Sequence, residues 1–140
     1  MGERAWLTAT DLRVMIVDDG TWEPWDAPVG EPATTSDGAD DTYAIELDRA
    51  RRKSGSDESV TTGAGAIGGR RVAIVLGEFE FLGGSIGRDA GARIVAAVRR
   101  ATRERLPLLA FPASGGTRMQ EGTAAFLQMV AITGAVTDHK

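Results

Sequence analysis

Phe111-Pro-Ala-Ser-Gly-Gly-Thr-Arg-Met-Gln-Glu-Gly122 is the stretch on which the reading of this chain turns. The segment before it, Leu106-Pro-Leu-Leu-Ala-Phe111, is short and apolar in the manner of a buried strand. The segment after it, Thr123-Ala-Ala-Phe-Leu-Gln-Met-Val-Ala-Ile132, is apolar over the length of a helix. Strand, small-residue turn and helix therefore follow one another, with the helix expected from Thr117 to about Ala135. Gly115 and Gly116 carry no Cβ, so their backbone can approach a bound atom closely. A helix starting there leaves its first N–H groups unpaired and carries partial positive charge at that end. Such a place suits a developing oxyanion better than a side-chain nucleophile.

Outward from this stretch the pattern stays α/β back to Ser59. Val60 to Ile67 and Arg70 to Phe81 read as strands, with Gly68-Gly69 as the hairpin turn between them. Asp89 to Arg105 reads as a helix with Ile94, Val98 and Ala101 on one apolar stripe and Arg93, Arg99, Arg100 and Arg103 on or near its polar side. The order is β-β-α-β-α.

Before Ser59 the composition changes, and the chain divides near residue 58. Ten acidic residues and no lysine or arginine lie between Asp18 and Asp48, so residues 1–58 read as an acidic N-terminal arm and 59–140 as the α/β part. Gly30 to Gly38 has the Gly, Pro, Ser and Thr content of an exposed linker. A helix or a strand spans Leu12 to Ile16. A second helix, capped by Asp41, runs through Tyr43, Ile45, Leu47 and Ala50 to Gly55. Arg49, Arg51, Arg52 and Lys53 crowd its last turn, as a solvated helix end or a phosphate patch. Trp22 and Trp25, on either side of Pro24, are candidates to anchor the arm.

Composition narrows the function classes. A chain of 140 residues with a formal charge of −4 fits one core and gives no reason to expect a nucleic-acid partner. With no cysteine there are neither disulfides nor thiolate metal sites. No apolar run has the length of a membrane span, and Met1-Gly-Glu-Arg-Ala-Trp-Leu7 has no signal-peptide core, so a cytoplasmic protein is expected.

Ala113-Ser-Gly-Gly-Thr-Arg-Met-Gln-Glu121 resembles the Ser-Gly-Gly-Ala-Arg-Met-Gln-Glu signature of the carboxyltransferase β component of acetyl-CoA carboxylase. Gly77-Glu-Phe-Glu-Phe-Leu-Gly-Gly-Ser-Ile-Gly87 is similar to that family's Phe-Met-Gly-Gly-Ser-Met-Gly segment. The resemblance runs from about Ser59 to Ala135 in the family's order and spacing. It implies a crotonase-like fold of ββα units, of which this chain is the N-terminal part, truncated relative to the family. It also implies transfer of a carboxyl group from carboxybiotin to an acyl-CoA such as acetyl-CoA, forming malonyl-CoA for fatty acid synthesis. Gly115 and Gly116 match the family's oxyanion glycines. Gly83, Gly84, Ser85 and Gly87 match the motif that shapes the acyl-CoA and biotin site, and Arg118 is the candidate to position an anionic substrate. The implied partners are acyl-CoA, a biotin carrier protein, and a complementary carboxyltransferase half or α component in an oligomer. Thr117 stands where many members have Ala. The zinc ribbon of many bacterial members has no counterpart here, so no zinc is expected.

Other readings use the same residues. A malonate decarboxylase β component shares the glycine chemistry but takes an acyl-carrier thioester, and a non-catalytic interaction fragment would use the apolar last helix. Gly83-Gly-Ser-Ile-Gly87 has the Gly-x-Ser-x-Gly form of a hydrolase elbow, but the one histidine, His139, stands beside its own would-be orienter Asp138 at the far end. Ser114 suits a local backbone bond. Glu78 and Glu80 share a strand face that is expected to be solvated. Arg118 and Glu121 are one turn apart, the spacing of a local ion pair.

Overall fold

In a computed structural model that describes residues 7–29 and 39–140, two strands in antiparallel register set the frame. β2 (Val60–Ile67) and β3 (Arg70–Gly77) pair from Val60↔Gly77 to Ile67↔Arg70, turning at Gly68-Gly69 as the sequence predicts. Asp18 holds that turn from outside, its carboxylate accepting from the N–H groups of Gly68 and Gly69 at 3.1 and 2.8 Å. β1 (Glu23–Pro24) adds to the free edge of β2, where a proline with no N–H to donate is tolerated. β4 (Leu108–Phe111) lies parallel to β3 on the other side, giving the order β1-β2-β3-β4. A parallel neighbour needs a crossover, and α3 (Arg88–Glu104) supplies it.

Alternation along β3 separates two cores. Ile74 and Leu76 point to one face and pack with α1 (Ala9–Ile16), through Leu12 and Ile16, and with Trp22. Val75 points to the other and packs with Ala90, Ala97 and Ile94 of α3. α1 is a helix, which decides the open alternative at Leu12 to Ile16. Thr8 and Asp11 close a reciprocal capping box at its start and satisfy two otherwise orphaned N–H groups. The acidic arm is thus built into the sheet: α1 lies on one face, and β1 forms an edge. Trp22 and Trp25 enter opposite cores, each with an arginine over its ring, Arg13 at 5.3 Å and Arg100 at 4.3 Å.

α2 (Ala39–Ser54) packs Leu47 and Ala50 against Phe81, beside the turn that follows β3. α4 (Thr123–His139) lies along α3. The expected linker Gly30 to Gly38 and residues 1–6 fall outside the described residues, as does the side chain of the proposed cap Asp41.

Three expectations change. Glu78 is not on a solvated strand face: the strand ends at Gly77, and the Glu78 side chain turns in, 1% exposed, to accept from the Ala9 N–H at 2.8 Å. Arg93 is not on a polar helix side. It is buried and binds Asp57 at 2.7 Å, Val60 O at 2.8 Å and Ala27 O at 3.0 Å, tying the arm to the start of β2. The last helix starts at Thr123, not Thr117, because Thr117 is drawn into a parallel bridge with Ile86 and Gly122 takes φ 62°.

Candidate functional site

Each of the two glycine motifs follows a strand and precedes a helix, so the parallel β3–α3–β4 unit brings both to the same end of the sheet. Backbone hydrogen bonds join them there. Gly115 N–H donates to Gly83 O at 2.8 Å, Ile86 N–H to Gly116 O at 2.8 Å, and Arg118 N–H to Ile86 O at 2.9 Å. The residues at 83–87 and 114–118 therefore form one surface, although they lie far apart in sequence.

Close approach explains Gly84 and Gly87 of the first motif, whereas Gly83 has φ 64° with open space where its Cβ would be. Gly84 adopts φ 69°, and a Cβ there would overlap the Ala113 carbonyl oxygen. A Cβ on Gly87 would run into the Glu121 carboxylate, which lies against that turn to accept from the Arg88 N–H at the start of α3. A carboxylate in this position also complements the positive end of α3.

Gly116 is different: it is exposed, with φ 109°, and nothing lies within 4 Å of where its Cβ would be. Its N–H is held by Ser114 Oγ at 3.0 Å. Rotation of a hydroxyl releases that N–H, whereas the Gly115 N–H is bound to a fixed backbone carbonyl. With α4 starting at Thr123, neither glycine sits in its first turn, so the helix-dipole contribution expected for this pair is absent.

Arg118 lies beneath the joined loops with no exposed surface. Its Nη1 donates to Glu58 Oε2 at 3.0 Å, Tyr43 Oη at 3.2 Å and Glu121 Oε2 at 3.2 Å. Its Nη2 donates to Glu58 Oε1, to Ser59 Oγ at 3.2 Å and to Ser85 O at 2.8 Å, and Nε reaches Ser85 Oγ at 3.3 Å. The guanidinium stands over the Phe81 ring, 5.4 Å from its centroid. All three nitrogens are thus committed to protein oxygens. In this conformation Arg118 ties the start of β2, both glycine loops and α2 together rather than facing a ligand.

The electrostatics follow from that burial. Burial alone disfavours the charge on Arg118, but the hydrogen bonds and charge of Glu58 outweigh it and raise its pKa. Burial, then the bond donated to Glu121, raises the Tyr43 hydroxyl well above its ordinary value. Burial also works against Glu121, yet Arg88 N–H, Tyr43 and Arg118 together hold its carboxyl below the usual range.

Sequence reasoning finds the glycines and the Arg118–Glu121 pair, but it misses Glu58 and Tyr43. Both reach Arg118 only through tertiary packing, and no local spacing marks them. Ser85 Oγ has no histidine beside it: His139 Nδ1 is 2.8 Å from Thr102 Oγ1 on α3. Among the described residues no hydrolase triad is assembled around Ser85. Among the described residues no helix is long and apolar enough to cross a membrane.

Comparison with known proteins identifies the family and the fold. Residues 35–140 match the family described as Carboxyl transferase domain. A probable biotin-dependent acyl-coenzyme A carboxylase beta3 subunit of Mycobacterium tuberculosis is 56% identical over 134 residues, which is 95% of this chain and 26% of that protein. The chloroplastic acetyl-coenzyme A carboxylase carboxyl transferase subunit beta of Helianthus annuus is 38% identical over 135 residues, 96% of this chain and 28% of that protein. The chain thus spans about a quarter of the length of these relatives. Among solved structures, transcarboxylase 12S superposes with a TM-score of 0.72 at 24% identity, over 91% of this chain and 23% of that one. The Pseudomonas malonate decarboxylase MdcD-MdcE hetero-dimer gives 0.66 at 22% identity, over 95% of this chain and 47% of that one.

Proposed function

Because the chain belongs to the carboxyl transferase domain family, we propose that its joined glycine loops form the acyl-CoA side of a biotin-dependent carboxyl-transfer site. The fold is the crotonase-like α/β fold that the sequence resemblance implies. The observation that carries the proposal is the exposed Gly116 N–H. It is held only by a side-chain hydroxyl, on a loop hydrogen-bonded to the second glycine motif.

Deprotonating the α-carbon of an acyl thioester places negative charge on the thioester oxygen. A backbone N–H aimed at that oxygen stabilises the charge without titrating, and a preorganised donor of this kind is worth roughly 10²–10³ in turnover. Ser114 gives up the Gly116 N–H by rotating, and the open space at Gly116 admits the carbonyl. Gly84 lets the first loop lie against the second, and the Gly83 carbonyl accepts from the Gly115 N–H. Ser85 and Gly87 fix its exit into α3, and Arg118 holds both loops from below. Carboxybiotin, brought by a separate carrier protein or domain, supplies the carboxyl group and the base. A complementary half or α component completes the site in an oligomer. The acyl group follows the relatives' names: acetyl-CoA, giving malonyl-CoA for fatty acid synthesis, or another acyl-CoA.

The test is carboxyl transfer by the complete assembly, with Gly116→Val compared against the unaltered protein. Turnover is expected to fall about 10²–10³ while near-ultraviolet circular dichroism is retained. Unchanged turnover removes the oxyanion assignment. Transfer seen only with an acyl-carrier thioester shifts the reading to malonate decarboxylase, whose solved complex shares this fold. Hydrolysis that depends on Ser85 restores the hydrolase.

A further inference from the structure

The Glu121 carboxylate is gripped from three elements around the glycine loops. Its Oε1 accepts from the Arg88 N–H at the start of α3. Its Oε2 accepts from the Tyr43 hydroxyl of α2 and from Arg118 Nη1, the latter at 3.2 Å. It also fills the space in which a Cβ on Gly87 would lie. Gly87 has φ −103° and ψ −165°, an extended backbone open to any residue. This glycine is therefore explained by the carboxylate beside it and not by its own conformation.

The second glycine loop is the segment that such a grip can control. The peptide carrying the Gly116 N–H hangs between two backbone bonds, Gly115 N–H to Gly83 O and Ile86 N–H to Gly116 O. Neither glycine has a side chain to anchor it, and open space surrounds the Cβ position of Gly116. Beyond Gly116 the chain returns to the segment before α3 twice more. Arg118 N–H donates to Ile86 O at 2.9 Å, and Glu121, at the end of the short turn Met119–Glu121, takes the Arg88 N–H. Glu121 thus closes the ladder between the two loops at its far end.

We propose that Glu121 is a positioning residue for the carboxyl transfer, which sets the direction of the Gly116 N–H from the far end of the loop, and that Gly87 is the gap that admits its carboxylate. The inference rests on the reading of Gly116 as the oxyanion donor. Glu121 acts through the loop and not on the reacting atoms, since both its oxygens are committed to protein donors. Hydrogen bonds to an ionised acceptor are among the stronger ones, and three of them converging from different elements leave the carboxylate one place to sit. Without it the turn at 119–121 loses its tie to α3, and a misplacement of about 1 Å at a reacting site can cost about 10²-fold.

The experiment is a double-mutant cycle on carboxyl transfer by the complete assembly, using Glu121→Ala, Gly87→Ala and the two combined. Values of kcat and KM are taken on assemblies that keep native near-ultraviolet circular dichroism. Each single change should lower kcat by about 10- to 10²-fold and leave KM within about twofold, because an oxyanion donor acts in the transition state. Gly87→Ala works by pushing the carboxylate off Arg88, so in the Glu121→Ala background it should add less than about twofold. Glu121→Gln keeps an oxygen for the Arg88 N–H and should retain more turnover than Glu121→Ala. Losses that multiply in full, a loss confined to KM, or an unchanged kcat each overturn the inference. Where Glu121→Ala does not fold, Gly87→Ala and Tyr43→Phe disturb the same carboxylate more mildly, and an unchanged kcat in both overturns it as well. Gly116→Val in the same assay separates this role from the reading beneath it. Turnover lost in Gly116→Val but kept in Glu121→Ala defeats only the positioning role. Turnover kept in Gly116→Val defeats the oxyanion reading, and the inference falls with it.

Discussion

Arg118 and Glu58, 60 residues apart in sequence, meet as a fully buried ion pair beneath the two glycine loops, with Nη1 3.0 Å from Oε2. Desolvating two charges is costly, and a buried pair of this kind is weak evidence for stability in itself. What it secures is geometry. The same guanidinium binds Ser59 at the start of β2, Ser85 in the first loop, and Tyr43 on α2. Removing one partner leaves the other charge buried without compensation.

Glu58→Gln should therefore destabilise the fold by about 3–5 kcal/mol, the usual cost of breaking a buried pair. Urea unfolding followed by tryptophan fluorescence measures it. A midpoint within error of the unaltered chain would mean that the Glu121 carboxylate, with the hydrogen bonds to Ser59, Ser85 and Tyr43, suffices to compensate Arg118.

A comparison of two glycines separates close packing from backbone strain. Gly68 in the hairpin and Gly84 in the first loop both have positive φ, 59° and 69°. A Cβ on Gly68 meets open space, whereas one on Gly84 overlaps the Ala113 carbonyl oxygen. Gly68→Ala should cost about 1–2 kcal/mol, the strain of the left-handed conformation alone. Gly84→Ala must also push residues 113–114 off the first loop, so its cost in the same unfolding assay should exceed that of Gly68→Ala. Equal costs would show that the two loops separate freely.

The parts legible in the sequence are those governed by short-range pattern. The strand-like runs Val60 to Ile67 and Arg70 onward, joined by the Gly68-Gly69 turn, locate β2 and β3, and one apolar stripe locates α3. Two glycine motifs at the right spacing locate the loops. Glu78 and Arg93 go astray for a common reason: each looks solvated on its own element, yet turns inward to satisfy a backbone group of another. The start of α4 is misplaced because a long-range bridge, Ile86↔Thr117, captures residues whose local preference is helical. Glu58 and Tyr43 are invisible for a further reason: their partner Arg118 is 60 and 75 residues away.

Tyr43 provides a direct optical test of the network, being the single tyrosine of the chain. Its hydroxyl donates to Glu121 and accepts from Arg118. Burial and the bond to Glu121 raise its pKa, with Arg118 acting in the opposite direction. The native protein should thus hold the phenol proton at pH values where an unfolded tyrosine, with a pKa of about 10, has released it. The sign follows: above about pH 10 the unfolded state binds fewer protons than the native state, so stability falls as pH rises. Phenolate absorbance should appear only together with loss of circular dichroism, and Tyr43→Phe should flatten the alkaline fall in stability. A phenolate titrating near pH 10 in a chain with native dichroism would show that α2 does not hold Tyr43 in the site.

Glu78 and Ala9 give the last test, of how the N-terminal arm is fastened to the sheet. The Ala9 N–H is at the start of α1, where a helix has no partner of its own for it, and Glu78 fills that role from the end of β3 at 2.8 Å. The carboxylate also accepts from the Glu80 N–H at 3.2 Å, so one buried group orders both the arm and the turn leading to the first glycine loop. Hydrogen bonds to a charged group contribute about 1.5–3 kcal/mol, so Glu78→Ala should cost at least that much. Glu78→Gln keeps an acceptor oxygen in the same place and should cost less. Thr8→Ala, which opens only the capping box, should cost about 1 kcal/mol. Amide hydrogen exchange should rise across residues 9–16 in Glu78→Ala, because α1 loses its tie to the strand end while its own cap remains. If exchange there is unchanged, the apolar contacts of Leu12 and Ile16 hold α1 without help from Glu78.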